Sequence, residues 1–428
     1  MNGMMEKTKS IVLTLLIFSS LVQSYYLVFG EPRRAPIKEN EYVEANTIGT
    51  QLSVDEVVFP DQMIIHSGKE THTVLYPNSR FYTLIFESIK KRTFDSFRRT
   101  SMMTTGIEWE EIRNKQPGVE LRFRGGIPFS ILKTMFVLRG DLPLDNEMVT
   151  RLWIFTKDVK EDVKTYFQTE FNTYEARADL NNKDVEGFVG FQELQTTYHT
   201  KDGDVYLPDK PLEMTQYRIP YEPITIDQLI KTLFVDPRNT RNFDNRDGSQ
   251  IYTDGKRGLQ VKADPLWMSY SDPIPTVDSR NDVRENLSSA VTFVNQHGGW
   301  NGQFGVKSIP LTPIIGRQAF TFRQYYDSYP IVSEKAEGFG LIRLVLQRGV
   351  VASYDRSMLT LETRGVERSL KMIEGGKALD DLVTALPRRS LVAGVYPAYQ
   401  PVLDKDEIMQ LNPVWVVEYR DGTYEHLK

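Results

Sequence analysis

The stretch LIRLVLQRGVVASY, residues 341–354, predicts an antiparallel β-hairpin, because it is rich in the β-branched and apolar residues that favour strands. Helical stretches are expected after it, around residues 366–373 and 378–386. Another hairpin is expected over residues 414–427, VWVVEYRDGTYEHL, where an Asp-Gly pair supplies the turn. The C-terminal part is therefore expected to combine an antiparallel sheet with helices.

The middle of the chain repeats this arrangement with different residues. The pair Asp254-Gly255 lies between strand candidates at 250–253 and 259–262, which is a strong short-range signal for a hairpin. A helix with one apolar face is expected over residues 282–295. Two hairpin-plus-helix units predict an α+β fold with two tandem, similar small domains, each with an antiparallel sheet covered by helix on one side.

The N-terminal half also carries both kinds of element. Four apolar residues predict the buried face of a helix by their spacing: Phe81, Leu84, Ile85 and Ile89. The stretches VELRF, residues 119–123, and RLWIF, residues 151–155, are strand candidates. An N-terminal α+β domain is therefore expected before the two smaller ones.

The composition excludes several classes of protein. The chain has 428 residues with 52 basic and 57 acidic side chains, a formal net charge of −5, so it lacks the basic excess of a nucleic-acid binder. At 40% hydrophobic and 25% charged residues, it has the composition of a globular protein. Because it contains no cysteine, disulfides, thiolate zinc sites and cysteine nucleophiles are excluded.

The longest uncharged stretch is IVLTLLIFSSLVQSYYLVF, residues 11–29. As a helix its 19 residues span about 28 Å, close to the roughly 30 Å of a bilayer's hydrocarbon core. Lys7 and Lys9 precede it and Arg33 and Arg34 follow it, so charge specifies its orientation only weakly. A short leader before a first apolar segment resembles a signal sequence and favours a cytoplasmic N-terminus. The alternative is a cleaved secretory signal, but the stretch is longer than a usual signal core and has no A-x-A tripeptide. A retained single-pass anchor is therefore predicted.

The predicted organisation follows from these signals, with a polar, Pro- and Asn-containing tether after the anchor. Its six parts are a cytoplasmic tail (1–10), a transmembrane helix (11–29), a juxtamembrane tether (30–54), an N-terminal extracytoplasmic domain (55–215), a middle α+β domain (216–312) and a C-terminal α+β domain (313–428).

Polar residues within the predicted anchor share one helix face. Ser19 with Gln23 and Ser20 with Ser24 form two i, i+4 pairs within an arc of about 140°. Small and amide side chains allow close helix approach and interhelical hydrogen bonds, which predicts contact with a partner helix. The alternative is that the serines bond to their own i−4 carbonyls while Gln23 lies near the membrane interface.

Motifs that carry chemistry are largely missing. The five histidines have no i, i+2 or i, i+4 spacing, so no metal site is predicted. Ser88 and Lys91 match S-x-x-K, but a polar face of an amphipathic helix explains them better. The segment GGWNG, residues 298–302, follows a predicted helix, and so indicates a C-cap and turn with Trp300 packed inside rather than a phosphate cradle. No catalytic residue and no cofactor are predicted.

Several stretches together resemble the YycH family. They are YPNSRFYTLIFESI (76–89), GGWNG (298–302), PIVSE (330–334), GLIRLVLQRGVVASYDRS (340–357), VYPAYQPV (395–402) and NPVWVVEYRDG (412–422). The C-terminal half also looks like YycI, the companion of that family, notably at Pro413 and Trp415.

The resemblance implies a non-enzymatic regulator of the WalK/WalR two-component system, which controls cell-wall metabolism. It implies a single membrane span with most of the chain outside the cell, and association with a YycI-like companion and a WalK-like sensor histidine kinase. On that reading, Ser19, Ser20, Gln23 and Ser24 contact partner helices. The alternatives are an anchored extracytoplasmic cell-wall enzyme and a binding module for a wall ligand.

Overall fold

The chain is a mixed α+β protein with three sheets in its described part, as the sequence predicts. The computed structural model describes residues 12–23, 25, 49–100, 107–140, 147–157, 162–191, 195–262, 266–273, 282–309, 316–347, 349–404 and 406–427. It divides into two units, Met1–Glu44 and Ala45–Lys428.

The first unit contains helix α1, residues 12–23, and residue 25 is also helical. All of its described side chains are exposed. In the part of the chain that the structure describes, no helix has both the length and the apolar character to cross a membrane. Residues 11, 24 and 26–29 of the predicted span lie outside the described residues.

Ten strands of the second unit form the first sheet. They are β1 (Gln62–Ser67), β2 (His72–Leu75), β3 (Thr93–Thr100), β4 (Pro117–Pro128), β5 (Val137–Leu138), β6 (Met148–Phe155), β7 (Lys164–Thr169), β8 (Thr173–Ala178), β9 (Tyr198–Thr200) and β10 (Tyr206–Pro208). Their order is β10-β9-β2-β1-β4-β6-β7-β8-β3-β5, and among these described strands β3 and β5 alone pair in parallel. Both strand candidates of this half are confirmed, since they lie in β4 and β6.

Nine strands form the second sheet. They are β12 (Arg241–Asp244), β13 (Gln250–Thr253), β14 (Gly258–Lys262), β15 (Trp267–Ser271), β16 (Gln303–Ser308), β17 (Gln318–Tyr326), β18 (Tyr329–Pro330), β19 (Leu341–Gln347) and β20 (Val350–Ser357). The order is β12-β13-β14-β15-β20-β19-β17-β16, with β18 paired to β17. Two predicted hairpins are confirmed here, β13 with β14 and β19 with β20.

The third sheet contains six strands from two distant parts of the chain. They are β11 (Leu212–Pro223), β21 (Leu359–Leu361), β22 (Glu367–Ile373), β23 (Val392–Leu403), β24 (Ile408–Tyr419) and β25 (Tyr424–Leu427). The order is β21-β11-β24-β23, with β22 on β11 and β25 on β24, so the hairpin predicted over 414–427 is confirmed.

The strands after residue 212 are thus interleaved between two sheets rather than grouped along the chain. β11 belongs to the six-stranded sheet, the next nine strands form another sheet, and β21 returns to pair with β11. The nine-stranded sheet takes strands from both sides of residue 312. Ala45–Lys428 forms one compact unit, and the domain boundaries at residues 215 and 312 stay predictions.

Eight α-helices of the second unit cover the sheets among the described residues. They are α2 (Val54–Val57), α3 (Arg80–Lys90), α4 (Trp109–Lys115), α5 (Phe129–Leu132), α6 (Asn182–Val189), α7 (Ile226–Leu233), α8 (Val283–Gln296) and α9 (Gly376–Thr384). Short 3₁₀ turns lie at Pro237–Asn239 and Arg389–Leu391.

Helix α8 confirms the helix predicted over 282–295. Asp282 is its N-cap, and the carboxylate accepts hydrogen bonds from the backbone N–H groups of Arg284 and Glu285 at 2.8 and 2.9 Å. Its apolar face is buried against β17, β19 and β20. A core of buried residues runs from this helix into the ten-stranded sheet, so the two sheets share one apolar interior.

Two predictions about helices are wrong. Residues 367–373 form strand β22 rather than a helix, because β11 supplies partners for their backbone groups along its length. The apolar residues there had suggested helical spacing, yet Leu370 is 69% exposed. In α3 the buried face includes Tyr82 and Phe86, whereas Leu84 is 51% exposed, so the predicted apolar face is partly misplaced.

Candidate functional site

The predicted partner-helix face lies on α1. Ser19, Ser20 and Gln23 are helical and exposed, and Ser24 lies outside the described residues. The apolar side chains around them are also exposed: Leu15 by 64%, Leu16 by 62% and Leu21 by 63% are examples. Within its own unit, nothing described covers this helix. Apolar surface on every side of a helix is stable only in lipid or against other protein.

A charged cleft lies where the three sheets of the second unit meet. Arg124 of β4, Arg323 of β17 and Glu418 of β24 each come from a different sheet, and all three line it. Arg124 Nη1 lies 3.4 Å from Glu418 Oε2, and its backbone N–H donates to Asp61 at 2.7 Å. Its guanidinium also lies 3.4 Å from the ring centre of Tyr396. Arg124 therefore links the ten-stranded and six-stranded sheets.

The cleft's two carboxyl groups have different environments. Burial raises the pKa of Asp61, and the charge of Arg124 only partly offsets this. Burial also acts to raise the pKa of Glu418, but Arg124, Arg323 and Lys307 outweigh it and lower that pKa overall. Glu418 is therefore the stable negative charge of the cleft.

A second buried charged cluster lies at the β1–β2–β4 end of the ten-stranded sheet. Glu120 is fully buried, and Arg122 donates to it twice, at 2.7 and 3.1 Å. Arg151 Nε lies 3.6 Å from the same carboxylate, and His66 Nε2 lies 3.4 Å from it. The loop at Gly203 closes the cluster, because its carbonyl accepts from Arg122 at 2.6 Å.

Two histidines meet in this cluster. The Nδ1 atoms of His66 and His72 are 3.0 Å apart, so one ring donates and the other accepts. Burial lowers the pKa of both, and the charge of His66 is a further cause at His72, whose pKa falls to about 3. Both rings are therefore neutral near pH 7. The sequence search used spacings within one strand or helix and missed this pair, which faces across the β1–β2 hairpin.

Gly203 has no room for a side chain. Its φ is +78°, and a Cβ there would lie 1.8 Å from Nη2 of Arg113. Glycine is needed both for the backbone conformation and for the close approach of the loop to these cations. The loop at Gly203 therefore packs directly against the side chains of Arg113 and Arg122.

His199 bridges two carboxylates near the contact of β9 with α9. Its Nδ1 lies 2.7 Å from Asp209, and its Nε2 lies 2.9 Å from Asp380 on α9. Only an imidazolium donates from both nitrogens. Burial acts against the charged form, but the two carboxylates outweigh it and raise the pKa of His199.

We expect the His199 bridge to stabilise the protein at low pH. A raised folded-state pKa means that the contribution is fully present below the unfolded pKa, about 6.5, and is lost as the pH rises through the folded value. Because the side chain is 35% exposed, the contribution is about 1 kcal/mol at most. Denaturant unfolding of wild type and His199→Gln at several pH values measures it.

The control for this prediction is His297→Gln. Burial lowers the pKa of His297, so that ring is neutral from pH 7 to 9 and its substitution should have a constant effect there. If the difference between wild type and His199→Gln stays constant from pH 6 to pH 9, the bridge is not charged.

The other motifs considered in the sequence have the following places in the structure. Among the residues that the structure describes, no group of three or more His, Cys, Asp or Glu side chains is placed to hold a metal ion. Ser88 and Lys91 lie at the end of α3, on its less buried side. Trp300 is 1% exposed within the turn after α8, as predicted for GGWNG.

Comparison with protein families gives two matches that together cover both halves. A family model for the N-terminal domain of YycH protein matches residues 6–187, and one for its C-terminal domain matches residues 202–427. The chain belongs to the YycH family. The resemblance expected from the six sequence stretches is thereby confirmed for this YycH-family chain.

One solved structure agrees with this assignment at the level of the fold. The crystal structure of YycH from Bacillus subtilis has a TM-score of 0.71 and 18% identity, covering 89% of this YycH-family chain and 98% of that chain. An uncharacterised protein from Eubacterium rectale has a TM-score of 0.32 at 11% identity, covering 54% and 89%, and supports no conclusion. A comparison with curated proteins gave no match.

Proposed function

We propose that the chain is a membrane-anchored accessory regulator of a WalK-like sensor histidine kinase, acting without catalysis through protein contacts. The observation that carries the proposal is its membership of the YycH family over both halves, residues 6–187 and 202–427. The family role is control of the WalK/WalR system of cell-wall metabolism, with a YycI-like companion.

The exposed apolar helix α1 supports the anchored part of the proposal. Its 40–68% exposed Val, Leu, Ile and Phe side chains need a nonpolar environment, and the uncharged sequence continues to residue 29. We propose a retained single span over residues 11–29 with residues 1–10 in the cytoplasm. The large α+β part then lies outside the cell. The intact mass of protein extracted from membranes tests whether residues 1–29 are kept.

The face of Ser19, Ser20, Gln23 and Ser24 is the proposed contact with partner helices. Gln23 in particular carries an amide that is costly to leave without a hydrogen bond in hydrocarbon. A partner helix that accepts and donates there removes that cost. To change kinase activity, the protein must bind one conformation of the kinase more tightly than another, because equal affinity shifts no equilibrium.

The test replaces the polar face by apolar residues. We expect the double variant Ser20→Leu with Gln23→Leu to recover roughly threefold less kinase in co-purification from membranes, because interhelical hydrogen bonds and close packing are lost. The matched control is Leu16→Ile, which changes neither polarity nor volume. Equal recovery of the kinase with both variants and wild type would show that this face makes no contact.

A further inference from the structure

The cleft at the junction of the three sheets holds more positive than negative groups. Its cations are Arg124, Lys307 and Arg323, and its acidic groups are Asp61 and Glu418. The cleft is narrow, with room for little more than one water-sized group, and part of it is open to solvent. Even with both acidic groups ionised, three cations face two carboxylates. The local excess charge is therefore positive.

The two carboxylates are already engaged by other donors. Glu418 accepts from Tyr396 Oη at 3.1 Å and lies 3.4 Å from Arg124. Asp61 accepts from the backbone of Arg124 at 2.7 Å and from Tyr325 Oη at 3.4 Å. These contacts satisfy Arg124 and leave the other two cations without a carboxylate within 4 Å among the described residues.

Arg323 is the cation of the cleft whose buried hydrogen-bond donors are least satisfied. It is 4% exposed, and one nitrogen, Nη1, donates to Tyr396 Oη at 3.4 Å. Its Nε and Nη2 atoms are buried and have no hydrogen-bond acceptor in the described part of the chain. A buried N–H group without an acceptor costs about 1–3 kcal/mol, and more when it is charged. Two such donors on one guanidinium form a fork suited to an anion.

Lys307 adds a second cation at the same place. Its ammonium lies 4.7 Å from the ring centre of Tyr424, and Arg323 lies 5.1 Å from the same ring. Burial and, next in size, the charge of the neighbouring Arg323 together lower the pKa of Lys307 to about 8. Cations that destabilise one another in this way gain most from a shared negative partner.

We propose that this cleft binds a small monovalent anion, a halide or a carboxylate, between Arg323 and Lys307. The charge excess and the unmet donors of Arg323 select for an anion, and the close packing of the sheets limits its size. A Cβ at Gly125 of β4 would lie only 2.5 Å from the carbonyl oxygen of Lys307, which leaves little room around β16.

A bound anion at this place would connect the three sheets. Arg323 and Lys307 belong to the nine-stranded sheet, and they share the cleft with Arg124 and Glu418 of the other two. The anion would reduce the repulsion between the cations on facing sheets, and so stabilise their arrangement. The rival occupant is water, which satisfies N–H donors but leaves the charge excess unchanged.

The test is chloride binding by the full chain in a non-ionic detergent. Binding is followed by the ³⁵Cl NMR line width, which broadens when chloride exchanges with a protein site. We expect saturable broadening for wild type, and chloride affinity weaker by about tenfold in Arg323→Gln, since charge-assisted hydrogen bonds are lost. Lys307→Met serves as a second variant if Arg323→Gln does not fold, as judged by circular dichroism.

The matched control is Arg98→Gln, which removes an exposed arginine on β3 that pairs with Glu175 at 2.7 Å. It should bind chloride like wild type. Acetate that displaces chloride would extend the site to carboxylates, and displacement by bromide alone would restrict it to halides; both support the proposal. Broadening that is absent in wild type, or unchanged in the folded Arg323 and Lys307 variants, would show that the cleft holds only water.

Discussion

Replacing Glu120 by glutamine is expected to lower the free energy of unfolding by about 3–5 kcal/mol, because it removes the counter-charge of a fully buried cluster. Arg122 would keep its contacts to the carbonyls of Gly203 and Asp204, both at 2.6 Å, but would lose its partner carboxylate. Arg151 would keep the carboxylate of Asp204 and the carbonyl of Gly203 as partners. Denaturant unfolding of the full chain in non-ionic detergent measures the change.

The pH dependence provides a separate check on Glu120. Burial acts to raise its pKa, but Arg122, His66 and Arg151 outweigh burial and hold the pKa well below its usual range. A depressed folded-state pKa means that the contribution is present above the unfolded pKa, about 4.5, and is lost as the pH falls below it. The difference in stability between wild type and Glu120→Gln should therefore shrink between pH 5 and pH 2.

The matched control is Glu111→Gln on α4. Glu111 pairs with Lys115 at 3.2 Å in an exposed i, i+4 arrangement, which is worth about 0.5 kcal/mol or less. Equal effects of the two Glu→Gln changes would contradict a special role for the buried cluster.

Replacing Trp300 by alanine is expected to cost about 3–5 kcal/mol, the usual range for removing a buried tryptophan. Trp300 is 1% exposed and its ring centre lies 5.3 Å from Phe304 and 5.0 Å from Phe322. Its indole N–H donates to Asn295 Oδ1 at 2.8 Å. The amide of Asn295 also accepts a hydrogen bond from the backbone N–H of Leu52 and donates one to the backbone carbonyl of Leu52. Loss of the ring would leave a cavity between α8, the nine-stranded sheet and the segment around Leu52.

Two substitutions of Trp300 separate the contribution of its ring packing to stability from that of its hydrogen bond. Trp300→Phe keeps much of the aromatic contact and loses the bond to Asn295, so it should cost clearly less than Trp300→Ala. The surface control is Phe171→Ala, because Phe171 is 85% exposed and its removal should change stability by about 0.5 kcal/mol or less. A thermal or denaturant midpoint that is the same for Trp300→Ala and Phe171→Ala would contradict the packing described here.

The sequence correctly predicts those helices and turns that are determined by residues close to them in the chain. The Asp282 cap and the apolar residues of α8 lie within one helix, and the turn at Asp254-Gly255 joins adjacent strands. The segment 367–373 is mispredicted, because it forms a strand only by pairing with β11, which lies far away in the sequence. The seven residues of this segment do not themselves indicate that β11 is available as a pairing partner.

The charged sites depend even more on distant contacts. His66 and His72 meet only because the β1–β2 hairpin aligns them, a cross-strand spacing that a turn-based search could have found. Arg124, Arg323 and Glu418 lie on three sheets, and no spacing in the sequence relates them. Ser19, Ser20 and Gln23 are the opposite case, because the spacing of one helix is enough to place them on a common face. The structure adds that they are helical and exposed.

The interleaving of β11 affects the order in which the sheets can be completed during synthesis. β11 is complete at residue 223, whereas its neighbours β21, β22 and β24 begin at residues 359, 367 and 408. During synthesis its edges wait unpaired while the whole nine-stranded sheet emerges, and such edges favour aggregation. The last hairpin to be synthesised therefore completes a sheet begun halfway along the chain, so early termination leaves an open edge rather than a shorter stable protein.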